Sequence, residues 1–269
     1  MIQVRFVVWK DRFLVLADCL TLLSADDPLS HVLDTRWGGF FTWHMLMVLI
    51  SGVSCVLIFP RVAAGIAADG TGGRVGGFFE SILVYLRDQV TRPFLGEEGD
   101  RYLPIVWTFF FFILFCNLLG MIPVVGRTAT ANINVTAALA LVSFVLYHSI
   151  GIKKHGFVHY LMNNLLVGPW YLWPLMVPIE IMGHLIRPCA LAIRLFANMV
   201  AGHTMLAVIL GFTVVLTKSA LVLGSTITAV SVSAAVALSF LELLVAFIQA
   251  FIFTFLTTVF LSLAVQSEH

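Results

Sequence analysis

Residues 179–203 read IEIMGHLIRPCALAIRLFANMVAGH, an apolar run long enough to cross a bilayer that still carries Glu180, His184, Arg187, Arg194, Asn198 and His203. A charge at the centre of a membrane helix costs about 2.5–3.5 kcal/mol on insertion scales. Two arginines and a glutamate there need something to point at. At ~100° per helical residue, Glu180, His184, Arg187, Arg194 and Asn198 fall within roughly 80° of one another, whereas His203 lies near ~140° and serves a different neighbour. One seam of ionisable groups on an otherwise apolar helix predicts an ion path or a polar protein interface.

Composition sets the class. Hydrophobic residues make up 60% of the 269-residue chain and charged residues 11%, whereas a soluble domain is nearer half apolar and a quarter charged. The expected fold is an all-α polytopic membrane protein. Net charge is +1 with no Lys/Arg cluster, so nothing points to nucleic acid as a partner. Cys19, Cys55, Cys116 and Cys189 show no CxxC or CxxH spacing. They read as small buried side chains, with no disulfide framework and no metal site.

Taken outward from the seam, the chain divides into spans and links. Residues 1–37 form a mixed N-terminal segment. An apolar stretch at 13–25 resembles a signal core, but Asp18 interrupts it and no cleavage pair follows, so it reads as a retained segment or an over-extended start. Span one is predicted over 39–59, ended by Pro60 and Arg61, with Trp37 and Trp43 as interfacial residues. A glycine-rich link then leads to FFESILVYLRDQV, whose mixture of apolar and charged residues predicts an amphipathic helix on the membrane surface within segment 61–101. Spans two and three are predicted over 103–125 and 133–150. The short GRTATAN between them implies an antiparallel hairpin.

Charge asymmetry predicts orientation. Arg61, Arg74, Arg87, Arg92 and Arg101 join Lys153 and Lys154 on one side, against Arg127 in the opposite short loop. Positive-inside bias puts the first group in the cytoplasm and the N-terminus outside. Beyond Leu165 the chain is nearly continuously apolar, and spans of 173–216 and 219–265 would each be ~60 Å or more as one helix. That is about twice the hydrocarbon thickness. Either these segments break into pieces, with Pro188 a candidate break, or both lie strongly tilted as a hairpin turning near Lys218. The second arm carries Glu242 and, seven residues on, Gln249, about two turns apart and therefore on one face.

The motif LAIRLFANMVAGH (191–203) resembles the signature of subunit a of the F-type ATP synthases. FFFILFCNLLGMIP (110–123), TANINVTAALAL (130–141) and LVAFIQAFIFTFLTTVFLSLA (244–264) resemble further stretches of that family in the same order. DPLSHVLD and the closing SEH are similar to bacterial members. The resemblance implies about five membrane helices plus the surface helix, the last two long and tilted. It also implies a stator lying against a rotor ring of small hairpin subunits (subunit c), each with one membrane-buried carboxylate. Two aqueous half-channels would meet the ring at different places, with Arg194 between them. Glu242 and His203 would serve the inlet, Asn198 and Gln249 would line the region near Arg194, and Glu180 would belong to the cytoplasmic side. His184 and Asn117 are candidate channel-lining groups.

Further partners implied by the family are the peripheral stalk (subunit b), the soluble catalytic head and the lipid bilayer. The implied location is the bacterial inner membrane, with the C-terminus cytoplasmic. No cofactor is expected, and no turnover by this chain alone.

The chemistry is arguable without the family. A guanidinium does not lose its proton in proteins, so Arg194 cannot relay protons. It can attract a deprotonated carboxylate and favour loss of that group's proton. Glu180, Glu242, His184 and His203 can titrate. Arg187 reads as structural, pairing with Glu180, and Asn117, Asn132 and Thr136 as interhelical glue. His44 and His148 read as single interfacial histidines. A secondary transporter would show internal repeats, and an intramembrane protease HExxH or a serine–histidine dyad. The chain has neither pattern.

Overall fold

A computed structural model describes residues 36–37, 41–69, 73–122, 128–165, 170–219 and 224–266. The N-terminal segment through 35, residues 220–223 between the two long arms and the closing SEH lie outside these. Before the first helix, strands β1 (Arg36–Trp37) and β2 (Phe41–Thr42) form a two-residue antiparallel ladder. The other described elements are helical.

Helix α1, Trp43–Asp69, begins the bundle. It does not stop at Pro60 as expected, because Pro60 sits inside it. A proline removes one ladder hydrogen bond, and the helix absorbs that loss. Helix α2 (Gly73–Leu86) runs into a π-helical turn, Arg87–Thr91, then the short α3 (Arg92–Leu95) and a 3₁₀ turn over Gly96–Arg101.

Helix α4 (Leu103–Gly120) carries a proline in its first turn, where no N–H is needed. Helix α5 (Ile133–His155) is capped at both ends. The Asn132 side chain accepts from the Asn134 N–H at 2.9 Å. Gly156, at φ 82°, turns the chain out while its N–H reaches the Ile152 carbonyl. Lys153, Lys154 and His155 occupy the last turn, where positive charge suits the helix dipole. An unexpected short helix, α6 (Phe157–Leu165), follows.

The two long arms are α7, Trp173–Ser219, and α8, Gly224–Val265. Pro188 does not break α7, since Pro178 and Pro188 both lie within one 47-residue helix. At 1.5 Å per residue α7 is ~70 Å long and α8 ~63 Å, so neither stands upright in ~30 Å of hydrocarbon. Lys218 falls in the last turn of α7. Four described helical segments are long and apolar enough to cross a membrane: Leu103–Gly120, Ile133–His155, Trp173–Gly211 and Thr228–Val265. His44–Pro60 is a shorter apolar segment.

The core lies where α4, α5, α7 and α8 meet. Phe110, Phe111, Ile113, Leu195 and Phe253 are fully enclosed there. Ala246 and Ala250 on α8 are also fully buried. Lipid offers little hydrophobic drive between helices, so small residues that let backbones approach closely matter more. Aromatic edges add contact, as in Phe110 against Phe247 at 5.5 Å and Phe59 against Phe111 at 5.0 Å.

Side-chain bonds close one end of the bundle. Arg87 grips Asp100 through Nε (3.0 Å) and Nη2 (2.6 Å). Lys154 donates to Glu98 at 2.6 Å, and His155 donates to the Val265 carbonyl at 2.9 Å. The Arg87 guanidinium holds the Asp100 carboxyl down to about 2, and Lys154 lowers that of Glu98 in the same way. Arg87, Arg92, Arg101, Lys153 and Lys154 therefore share one basic end.

Candidate functional site

Away from Lys153 and Lys154, polar groups of α1, α7 and the segment at Thr128 form a chain that ends on Glu242 of α8. The carboxylate sits on α8 and is buried, 7% exposed. On the facing arm, His203 Nδ1 lies 3.7 Å from Glu242 Oε1. The other ring nitrogen, Nε2, is hydrogen-bonded to the Thr128 hydroxyl. His203 thus stands between a carboxylate and a hydroxyl with one ring nitrogen turned to each.

Thr128 continues the chain of polar groups, because its carbonyl lies 3.0 Å from His44 Nδ1. A carbonyl can only accept, so that nitrogen carries the proton. His44 is buried, 1% exposed, and is enclosed by the bundle rather than interfacial as expected.

The same end holds Asn117, fully buried on α4. It accepts from the Thr130 hydroxyl at 2.8 Å and donates toward the Ala246 carbonyl of α8 at 3.4 Å. Glycine lets these parts meet. A Cβ on Gly202 would lie 2.7 Å from Glu242 Oε1, and one on Gly120 would overlap the Thr128 side chain. Asn198, Gly202 and Glu242 line a cavity of about 150 Å³ between the two arms, with Leu238 and Val245. Gln249, two turns along α8 from Glu242, is also buried.

Arg194 is different. Its helix neighbours Leu191, Ala192, Leu195 and Met199 pack inward, while Arg194 faces out with Ala190, Ile193 and Ala197. Among the described residues it has no hydrogen bond or ion pair. A permanent cation is thus presented on the open side of an apolar helix.

Toward the basic end of α7 lies a second polar group. His184 Nε2 is 3.5 Å from Glu180 Oε1, and Arg187 Nη2 is 3.9 Å from the same oxygen. The Arg187 guanidinium also sits 5.3 Å over the Phe260 ring. The His148 ring lies 5.2 Å from the His184 ring, so His148 too belongs to a cluster rather than standing alone at a span end.

The predicted residues therefore fall into three places. Glu242, His203, Asn198 and Asn117 gather at one end, with Gln249 two turns along α8. Glu180 and His184 gather at the other end, and Arg194 stands exposed between them along α7. Thr128 and Thr130 complete the first cluster without having been singled out by the sequence, and His44 joins it although it read as interfacial. Their partners are distant in the chain, 84 residues in the case of His44 and Thr128, so no local spacing marks them.

An antiparallel helical bundle with long apolar arms, ionisable clusters at two levels, one buried and one half-buried, and an exposed arginine between them defines a multi-pass membrane protein with a titratable interior. Residues 43–262 match the family model described as ATP synthase A chain. The chain is 40% identical over 226 residues to ATP synthase subunit a 2 of Chlorobaculum tepidum, covering 83% of this chain and 62% of that protein. It is 43% identical over 199 residues to ATP synthase subunit a of Myxococcus xanthus, covering 73% of this chain and 63% of that protein. With ATP synthase subunit a 2 of Chlorobium luteolum it shares 38% identity over 230 residues, 84% of this chain and 66% of that protein. The matched region thus spans just under two thirds of the length of these relatives. The chain belongs to the ATP synthase A chain family.

Proposed function

We propose that this chain is the proton-channel stator of an F-type ATP synthase. One observation carries the reading: Arg194 is exposed and without a described partner, between a buried and a half-buried cluster of groups that can exchange protons. Protons enter from one side along Asn117, His203 and Glu242. They leave on the other side by way of Glu180 and His184. Asn198 and Gln249 line the approach to Arg194.

A ring of small hairpin subunits (subunit c), each with a buried carboxylate, passes across the exposed face of α7 and α8. Arg194 draws each carboxylate into its ionised form and drives off its proton. Because the guanidinium keeps its own proton, it also separates the two half-channels. Rotation is therefore the route by which a proton crosses, and the soluble head uses it to make ATP. The chain itself has no turnover.

The basic end supports an orientation. Lys153, Lys154 and the arginines of the 87–101 segment cluster there, and positive charge favours the cytoplasmic side. The N-terminus then faces outward and the C-terminus the cytoplasm of a bacterial inner membrane, with the peripheral stalk (subunit b) as a further partner. In membrane vesicles holding the whole complex, Arg194→Ala is expected to abolish proton-driven ATP synthesis while the complex still assembles. Normal coupled synthesis in that variant would remove the assignment.

A further inference from the structure

The reading above gives work to Glu180 and His184 but none to the groups beyond them. His148 Nδ1 shares a 2.8 Å hydrogen bond with the Tyr160 hydroxyl, while its Nε2 is buried with no hydrogen-bond partner. Both ring nitrogens of His184 are buried without one as well. Between the two rings the centroids are 5.2 Å apart. Glu180, His184, His148 and Tyr160 thus form a file across three helices, α7, α5 and α6.

Tyr160 is built into its place. Its ring lies on Gly151, where a Cβ would overlap it, and the residue is almost wholly enclosed. Packing alone does not account for two histidines here. Phenylalanine or leucine would fill the space without leaving three imidazole nitrogens unsatisfied, and buried polar atoms in native proteins are nearly always paired.

We propose that His184 and His148 form a two-imidazole proton wire joining Glu180 to Tyr160 toward the basic end of the bundle. This rests on the proton-channel reading above. Arg187 Nη2, 3.9 Å from Glu180 Oε1, places a permanent positive charge beside the carboxyl at the start of the file. One proton is then handed along. His184 takes it on one nitrogen and releases the proton of the other. His148 accepts on Nε2 and gives up its Nδ1 proton to the Tyr160 oxygen, which releases its own to solvent. Each step breaks one N–H or O–H bond and forms another. The imidazoles exchange directly after a ring rotation or across one water, and a water-borne proton shift from one nitrogen of each ring to the other, breaking one N–H bond and forming another, restores its starting tautomer.

The test uses the assembled complex in inverted membrane vesicles. His148→Gln and His184→Gln keep hydrogen-bonding capacity but carry no proton near neutrality. Each is expected to cut ATP-driven proton pumping by roughly tenfold or more with the complex intact, and the double variant should pump no less than the poorer single, because the links are in series. Added imidazole should restore pumping to His184→Gly, whereas thiazole, a similar ring that stays unprotonated, should not. Wild-type pumping in both glutamine variants would overturn the wire, and so would equal rescue by the two rings or rescue by neither. Arg194→Ala, measured alongside, separates the two ideas. If it uncouples the complex while the histidine variants pump normally, the wire alone fails; if it stays coupled, the stator reading fails.

Discussion

Arg194 and Arg187 show how neighbours divide the labour of identical side chains. On a helical wheel they share a stripe with Glu180 and His184. In the structure Arg187 is held between Glu180 and the Phe260 ring, while Arg194 faces outward. The reason is the length of α7, since one angular stripe on a 47-residue helix meets different neighbours along its course. Glu242 is the group most exposed to small changes nearby. Glu242→Gln keeps the shape but removes the exchangeable proton; it is expected to slow proton flux without releasing the ring, and unchanged flux would return Glu242 to a structural role. Gly202→Val pushes a methyl-bearing carbon toward Glu242 Oε1, only 2.7 Å from the added Cβ. Flux measured in vesicles should fall while Arg194 is untouched, and a flux equal to wild type would show that the carboxylate position is uncritical.

Among the helices, the informative differences lie at ends and prolines. Pro60 and Pro188 mark stops by local rules, yet α1 and α7 run through them. Each helix is flanked by others that hold its direction, and one missing hydrogen bond does not outweigh that packing. The start of α5 was legible from hydropathy, although Asn132, read as interhelical glue, proves to cap the helix by accepting from the Asn134 N–H. The close approach of α4 to the segment entering α5 was not. It depends on Gly120, where any Cβ would meet Thr128. Gly120→Val is therefore expected to destabilise the fold by about 1–3 kcal/mol, the usual cost of overpacking a tight contact. It should also disturb the Thr128–His203 bond. Thermal unfolding in detergent checks the first effect and proton flux the second, and a variant unchanged in both would contradict the packing described.

For the whole molecule, the basic end acts as a clasp. Arg87, Arg92 and Asp100 pin the turn between α2 and α4, Lys154 ties it to α5 through Glu98, and Gln266 donates to the Phe94 carbonyl at 2.6 Å. The depressed Asp100 carboxyl fixes the sign of the pH effect. Its contribution is fully present above the ordinary carboxylate value of ~3.9 and is lost as pH falls through about 2. These groups are solvent-exposed, so the effect is local. Hydrogen exchange over residues 87–101, corrected for intrinsic rates, should quicken only toward that acidic limit, and Asp100→Asn should show the same loosening at neutral pH. Equal protection in the variant at neutral pH would mean the clasp holds without the ion pair.

Membrane class and the ionisable seam were readable from residue order, because hydropathy and 3.6-residue periodicity are local properties, whereas the choice between broken pieces and two long arms stayed open until the fold showed α7 and α8 unbroken. The shared face of Glu242 and Gln249 was readable for the same reason, and the motif around Arg194 through its resemblance to a known family. Three things required folding: the pairing of His203 with Glu242, the enclosure of His44 and Thr128 beside them, and the line from Glu180 through His148 to Tyr160. Each joins groups on different helices, and which helices touch is settled by side-chain packing and by glycines at crossing points. Local periodicity carries no record of either.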